Sequence, residues 1–185
     1  MRRAVFLDRD GTLNVEREYL YRTEDFLFIQ GAVQAVRLLN ESGLLVVVVS
    51  NQSGVARGYY SEEDVELLHR YADGLLRQAG AVIDAWYYCP HHPEGRGSYA
   101  LPCRCRKPGT GMLVEASRRL DIDLSQSFMV GDKLIDIEAG LASGCCPILV
   151  RTGYGYREES GLAAGIEVCD DLLSAAVLIR KCVAV

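Results

Sequence analysis

Val5-Phe6-Leu7-Asp8-Arg9-Asp10-Gly11-Thr12-Leu13 runs an apolar segment straight into two carboxylates and a glycine turn. Residues two apart on a strand face the same side. The pattern therefore predicts Asp8 and Asp10 as neighbours at the carboxyl end of a first strand, where open α/β sheets bind ligands. Two carboxylates there suit a divalent cation, or a division of work between nucleophile and acid/base. Taken alone, the same residues also fit a plain Asp-Gly turn closing an ordinary strand. Three further motifs downstream weigh against that bland reading.

Working outward, strand-like and helix-like patterns alternate along the chain, which implies βαβ units. The first strand is expected over 4–7, followed by a helix over 31–40 with Val33, Val36 and Leu39 on one stripe and Gly43 as its stop. Leu44 to Val49 is continuously apolar, as a central parallel strand covered on both faces should be. Ser61-Glu62-Glu63-Asp64 has the form of a capping box, opening a helix with Leu68, Ala72, Leu75 and Ala79 at helical spacing. Strands over 81–88, 127–130 and 147–150, helices over 110–120 and 134–143, a short strand near Ile166 and a final helix over 171–181 complete the pattern. The expected fold is a doubly wound α/β parallel sheet with helices on both faces, one domain over 1–185, interrupted by a loop over 89–107.

With 185 residues and 49% apolar content the chain is long enough for one real core. Its net charge of −5 offers no general attraction to nucleic acid or an anionic membrane, so an anionic ligand has to be caught by a local cluster. Met1-Arg2-Arg3 resembles a signal-peptide start, but Asp8, Arg9 and Asp10 interrupt the apolar stretch too early. No run reaches membrane-spanning length, and the expectation is a cytoplasmic protein without a nucleic-acid or membrane partner.

Within 89–107, Cys89-Pro90-His91 and Cys103-Arg104-Cys105 set three thiols and an imidazole in two pairs. These are the donors of a four-coordinate structural zinc site, although the one-residue spacing is tighter than the common knuckle. His92 is an alternative to His91 on spacing alone. Cys145, Cys146, Cys169 and Cys182 lie in apolar stretches and read as small core residues, and His69 as a surface or packing histidine. The zinc loop ends in a basic cluster, Arg104, Arg106 and Lys107, held by Pro108-Gly109 and suited to a phosphate. Ser50-Asn51-Gln52-Ser53-Gly54 follows the second strand with hydroxyl, amide and backbone donors. Phe128-Met129-Val130-Gly131-Asp132-Lys133, with Asp136 beyond it, ends another strand in acid, and Asp132 is a candidate third acidic neighbour of a metal.

In this order, Asp8-Arg9-Asp10-Gly11-Thr12, Ser50-Asn51-Gln52, Arg106-Lys107-Pro108 and Gly131-Asp132-Lys133 with Asp136 resemble the four motifs of haloacid-dehalogenase (HAD) superfamily phosphatases. More narrowly, Cys89-Pro90-His91-His92-Pro93 and Cys103-Arg104-Cys105-Arg106-Lys107-Pro108 resemble the zinc loop of the D-glycero-D-manno-heptose 1,7-bisphosphate 7-phosphatases. The resemblance covers nearly the whole chain and weakens after about Thr152. It implies a Rossmann-like HAD fold without a large cap domain, a monomer, and a small phosphosugar substrate in nucleotide-activated heptose biosynthesis.

It further implies Asp8 as nucleophile and Asp10 as acid/base. Magnesium would be held by the Asp8 carboxylate, the Asp10 main-chain carbonyl and Asp132. Ser50 and Lys107 would steady the phosphoryl oxygens. Glu16, Arg17, Glu18 and Tyr19 correspond to a substrate loop, Asn51, Gln52 and Ser53 to pocket lining, and Arg106 and Lys133 to readers of the sugar or its second phosphate. Some relatives have Gly where this chain has Glu18. The related histidinol-phosphate phosphatases carry a similar loop that is usually shorter, whereas eleven residues separate His91 from Cys103 here. A polynucleotide phosphatase fits poorly with the acidic balance. A non-catalytic phosphosugar-binding module has no need of a positioned acid/base.

Overall fold

The computed structural model describes residues 1–184, so Val185 of the expected domain lies outside the described residues. Six strands form one sheet: β1 (Ala4–Leu7), β2 (Leu45–Asn51), β3 (Ala85–Cys89), β4 (Phe128–Gly131), β5 (Cys146–Val150) and β6 (Glu167–Cys169). All pairings are parallel, in the order β3-β2-β1-β4-β5-β6. The helices are α1 (Ala32–Glu41), α2 (Ser53–Arg57), α3 (Glu62–Gln78), α4 (Gly111–Leu120), α5 (Leu134–Ser143), α6 (Gly155–Glu158) and α7 (Leu172–Val183). The chain builds outward from β1 to β3, then returns to the other side of β1 and builds to β6. This is the doubly wound topology, and its direction reverses between β1 and β4, so the loops leaving those two strands diverge and open a crevice.

Strand side chains alternate between two buried faces. Val5, Leu7, Val46, Val48, Val130 and Ile148 meet α1 and α7 through Ala35, Val36, Leu39, Ala176 and Ile179. Ala4, Phe6, Leu45, Val47, Val49 and Met129 meet α4 through Met112, Leu113 and Ala116, and α5 through Ala139. Burial on both faces explains why β2 reads as an unbroken apolar run rather than an alternation.

The expected elements form, with shifts at their ends. Strand β3 begins at Ala85 rather than 81, because Ala81 and Ile83 are buried in a connection that packs on the core without pairing. Apolar content reported burial there, not a ladder. The capping box on α3 forms as read: Asp64 N donates to Ser61 Oγ at 3.2 Å and Ser61 N to Asp64 Oδ2 at 2.8 Å. The short helices α2 and α6, five and four residues long, carry too few turns for a periodic signal. Among the outlying cysteines, Cys145 is buried and Cys169 half-buried, but Cys146 and Cys182 are exposed, at the amino end of β5 and in the last turn of α7. No helix among the described residues is long and apolar enough to cross a membrane.

Candidate active site

Strand β1 ends at Leu7, and Asp8 N donates to Val130 O at 2.9 Å, which seats Asp8 across the crevice from β4 and the following Asp132. Oxygens of Asp8, Asp132 and Asp136 converge within 4.8 Å of one another. Into this cluster comes Lys107, only 2% exposed, whose ammonium donates to Asp8 Oδ1 at 2.7 Å and Val49 O at 2.7 Å and pairs with Asp136 Oδ1 at 2.7 Å. Burial alone would weaken its charge, but Asp136 and Asp8 carry its pKa above the ordinary lysine range. Asp136 has a second task, since its Oδ2 accepts from Lys133 N at 3.1 Å and caps α5. One carboxylate thus joins a helix start to the buried lysine.

Lys107 is held by its main chain as well. Asn51 Nδ2 donates to Lys107 O and Lys107 N donates to Asn51 Oδ1, both at 3.0 Å, so the end of β2 grips the end of the cysteine loop. The Lys107–Pro108 peptide is cis. In that loop the sulfurs of Cys89, Cys103 and Cys105 lie 3.0 to 3.3 Å apart, and His91 Nδ1 lies 3.5 Å from Cys105 Sγ and 3.8 Å from Cys89 Sγ. All three are free cysteines. Four soft donors converging on one point fit the donor set of zinc. His92 stands apart, its Nδ1 accepting from Glu94 N at 3.1 Å.

A cavity of about 410 Å³ opens here. It is lined by Asp8, Asp10, Ser50 and Lys107, by Asn51, Ser53 and Arg106 from the ends of β2 and the cysteine loop, and by Glu16, Glu18, Tyr19 and Lys133. Lys133 donates to Glu16 Oε2 at 3.1 Å and sits 4.7 Å from the centre of the Tyr154 ring. Although burial opposes its charge, Asp8, Asp132 and Glu16 keep it firmly protonated. The cavity lining therefore combines three cations, Arg106, Lys107 and Lys133, with the carboxylates of Asp8, Asp10, Glu16, Glu18 and Asp136.

The acidic cluster of Asp8, Asp132 and Asp136 has an unmet electrostatic demand. Asp132 is buried, its Oδ1 has no hydrogen-bond partner, and burial together with the charges of Asp8 and Asp136 raises its pKa above the usual carboxylate range. A hard divalent cation, which prefers carboxylate oxygen, fits that demand.

A family model described as HAD-hydrolase-like matches residues 104–175, and one described as polynucleotide kinase 3 phosphatase matches residues 3–138. A D-glycero-β-D-manno-heptose-1,7-bisphosphate 7-phosphatase of Haemophilus ducreyi is 49% identical over 160 residues, covering 85% of this chain and 88% of that protein. The chain belongs to the heptose-1,7-bisphosphate 7-phosphatase family. A D-glycero-D-manno-heptose-1,7-bisphosphate 7-phosphatase of Thermosynechococcus vestitus is 52% identical over 165 residues, covering 86% and 84%. The crystal structure of D,D-heptose 1,7-bisphosphate phosphatase from B. bronchiseptica, complexed with magnesium and phosphate, superposes with a TM-score of 0.88. It is 35% identical and covers 97% of this chain and 98% of that one. The HAD-like architecture is therefore that of heptose-bisphosphate phosphatases.

Against the sequence reading, the placements of Asp10 and Arg17 differ. Asp8 and Asp10 line one cavity but not one carboxylate cluster, because β1 stops at Leu7 and Asp10 lies beyond it in an isolated bridge to Asn14, its side chain against Arg9. Strand pleating does not set their geometry. Gln52 does line the cavity, with its side chain committed to its neighbours: its amide nitrogen donates to Asp10 Oδ2 and Ser50 Oγ, and its oxygen accepts from Arg9 and Tyr60. Arg17 is exposed and borders a separate depression with Tyr21, Arg22 and Asp25, displaced where Glu18 turns at φ 57°. Sequence reasoning also passed over Arg9, Asn14, Tyr60 and Tyr154. Arg9 sat inside the motif already quoted, whereas Tyr154 comes from a loop with no pattern of its own.

Proposed function

We propose that this chain is a magnesium-dependent phosphatase that hydrolyses the 7-phosphate of D-glycero-D-manno-heptose 1,7-bisphosphate through an aspartyl phosphate on Asp8. The observation that carries this reading is the buried Lys107 fixed between Asp8 and Asp136 at the β1/β4 crevice. A lysine so placed orients a carboxylate nucleophile and lies ready for the negative charge of a phosphoryl group. The family membership and the magnesium and phosphate in the Bordetella relative's structure support the same assignment.

In the first half-reaction an Asp8 oxygen attacks phosphorus, the bond from phosphorus to the sugar oxygen breaks, and Asp10 passes its proton to that oxygen. Ser50 accepts a hydrogen bond from Gln52 at 2.6 Å, so its own hydroxyl proton is free to donate to a phosphoryl oxygen. In the second, water attacks phosphorus, gives its proton to Asp10, and the Asp8 carboxylate departs. Magnesium, held by the carboxylates of Asp8 and Asp132 and the Asp10 main-chain carbonyl, supplies charge neutralisation between anionic nucleophile and anionic ester. Zinc held by Cys89, His91, Cys103 and Cys105 is structural, since four protein donors leave no open position. Through Asn51 its loop sets the height of Lys107. Arg106, whose Nη1 donates to His91 O at 3.4 Å, and Lys133 read the second phosphate.

A phosphate-release assay on heptose bisphosphate, histidinol phosphate, fructose bisphosphate and a DNA 3′-phosphate tests the assignment. The heptose ester should show the highest kcat/KM, with strict dependence on magnesium. A preference for histidinol phosphate would transfer the chain to that activity, and no turnover of any ester would leave only a binding module.

A further inference from the structure

Arg9 is 1% exposed, and its guanidinium is the most heavily committed group at the site. It grips the carboxylate of its own neighbour in a bidentate pair: Nε lies 3.2 Å from each Asp10 oxygen, and Nη2 lies 3.1 and 2.9 Å from them. The same Nη2 donates to Leu20 O at 3.1 Å and Gln52 Oε1 at 3.2 Å, while Nη1 faces His69 Nε2 at 3.3 Å. His69 is buried against Trp86, ring centres 4.8 Å apart, and burial and the Arg9 charge keep it neutral, with Nε2 as acceptor. Asp10 in turn receives Asn14 Nδ2 at 2.9 Å on one oxygen and Gln52 Nε2 at 3.0 Å on the other.

We propose that Arg9 is a positioning residue that fixes the Asp10 carboxylate for proton transfer and locks the substrate loop, through Leu20, to the same rigid fork. The planar guanidinium makes this possible, since Nε and one Nη2 proton hold the two carboxylate oxygens, the other Nη2 proton is shared between Leu20 O and Gln52 Oε1, and Nη1 is left for His69. The inference rests on Asp10 as the acid/base. Although burial opposes the charge, Arg9, Asn14 and Gln52 hold Asp10 as a carboxylate with its pKa below the ordinary value, so the clamp fixes where that group sits, and one of these N–H donors gives way when Asp10 carries the proton.

The consequence is a dependence on leaving group. When the bond from phosphorus to a sugar oxygen breaks and Asp8 takes the phosphoryl group, the oxygen departs as an alkoxide unless Asp10 supplies its proton. With 4-nitrophenyl phosphate the aryl oxygen leaves as a stable anion, and the proton matters little. The test measures kcat/KM, which reports steps up to formation of the aspartyl phosphate, for a sugar phosphate and for 4-nitrophenyl phosphate. Wild type, Asp10→Asn, Arg9→Met and Arg9→Lys are compared.

The ratio of the two constants within one preparation is independent of how much of the protein is folded. Arg9→Met should lower the sugar-phosphate constant about 100-fold and the aryl constant less than about 10-fold, in the same sense as Asp10→Asn. Arg9→Lys keeps the charge without the fork and should fall between. An unchanged ratio in either folded Arg9 variant, with a changed ratio in Asp10→Asn, overturns the role of Arg9 alone. An unchanged ratio in Asp10→Asn instead removes Asp10 as the acid.

Discussion

Two single residues show how tightly this site depends on its surroundings. His69 is buried, and burial with the Arg9 charge pushes its pKa down to about 3, against an ordinary value of 6.5. The unfolded chain therefore binds a proton below pH 6.5 that the native protein refuses, so stability is lost as pH falls from there toward 3. The loss is about 1.4 kcal/mol per pH unit. His69→Gln keeps an acceptor for Arg9 without the titration. Urea unfolding at pH 7 and pH 5 should show a smaller drop for the variant, and an equal drop would refute the assignment. Gly153 is the second case: it adopts φ 57°, and a Cβ there would overlap the Asp132 carboxylate and crowd the Gly11 backbone. Gly153→Ala is expected to weaken magnesium activation about 10- to 100-fold by turning Asp132. A titration of activity against magnesium measures this, and an unshifted midpoint would count against Asp132 as a ligand.

At the scale of elements, the central strands β1, β2 and β4 were legible because each is a short apolar run buried on both faces, and their carboxyl ends announced the acidic motifs. The position of Asp10 was not, because a residue three places beyond the end of β1 escapes the period-2 rule that orients a strand. Nor was the hub role of Gln52, which depends on Arg9, Ser50 and Tyr60 meeting in space. The loop over 89–107 shows both sides: its donor set was readable, but its grip on Lys107 passes through Asn51 on β2, a contact across 56 residues. Loss of zinc should therefore disable catalysis without unfolding the sheet. Removing zinc, or making Cys105→Ser, should lower kcat at least about 10-fold while far-UV circular dichroism is retained. Restoration of zinc, but not added magnesium, should recover the metal-depleted enzyme. Full activity in verified zinc-free protein would contradict the link.

Over the whole molecule, an acidic protein of net charge −5 binds an anion only where its cations are gathered. The fold gathers them by bringing the cysteine loop and the β4–α5 junction into the lining of one cavity, with Arg106 from the first and Lys133 from the second. Arg106→Ala should cut kcat/KM for the bisphosphate about 10- to 100-fold, the worth of a charge-assisted hydrogen bond, and leave the monophosphate nearly unchanged. Equal losses on both substrates would deny Arg106 a part in selection. The central claim is that Asp8, steadied by Lys107, carries the phosphoryl group between two displacements. Its most direct test is the stereochemical course at phosphorus, followed with a phosphorothioate ester made chiral by two oxygen isotopes and hydrolysed in water carrying the third, so that the inorganic thiophosphate released is itself chiral. Two in-line displacements give net retention of configuration, the expected result; inversion would mean that water attacks the ester directly and that no aspartyl phosphate forms.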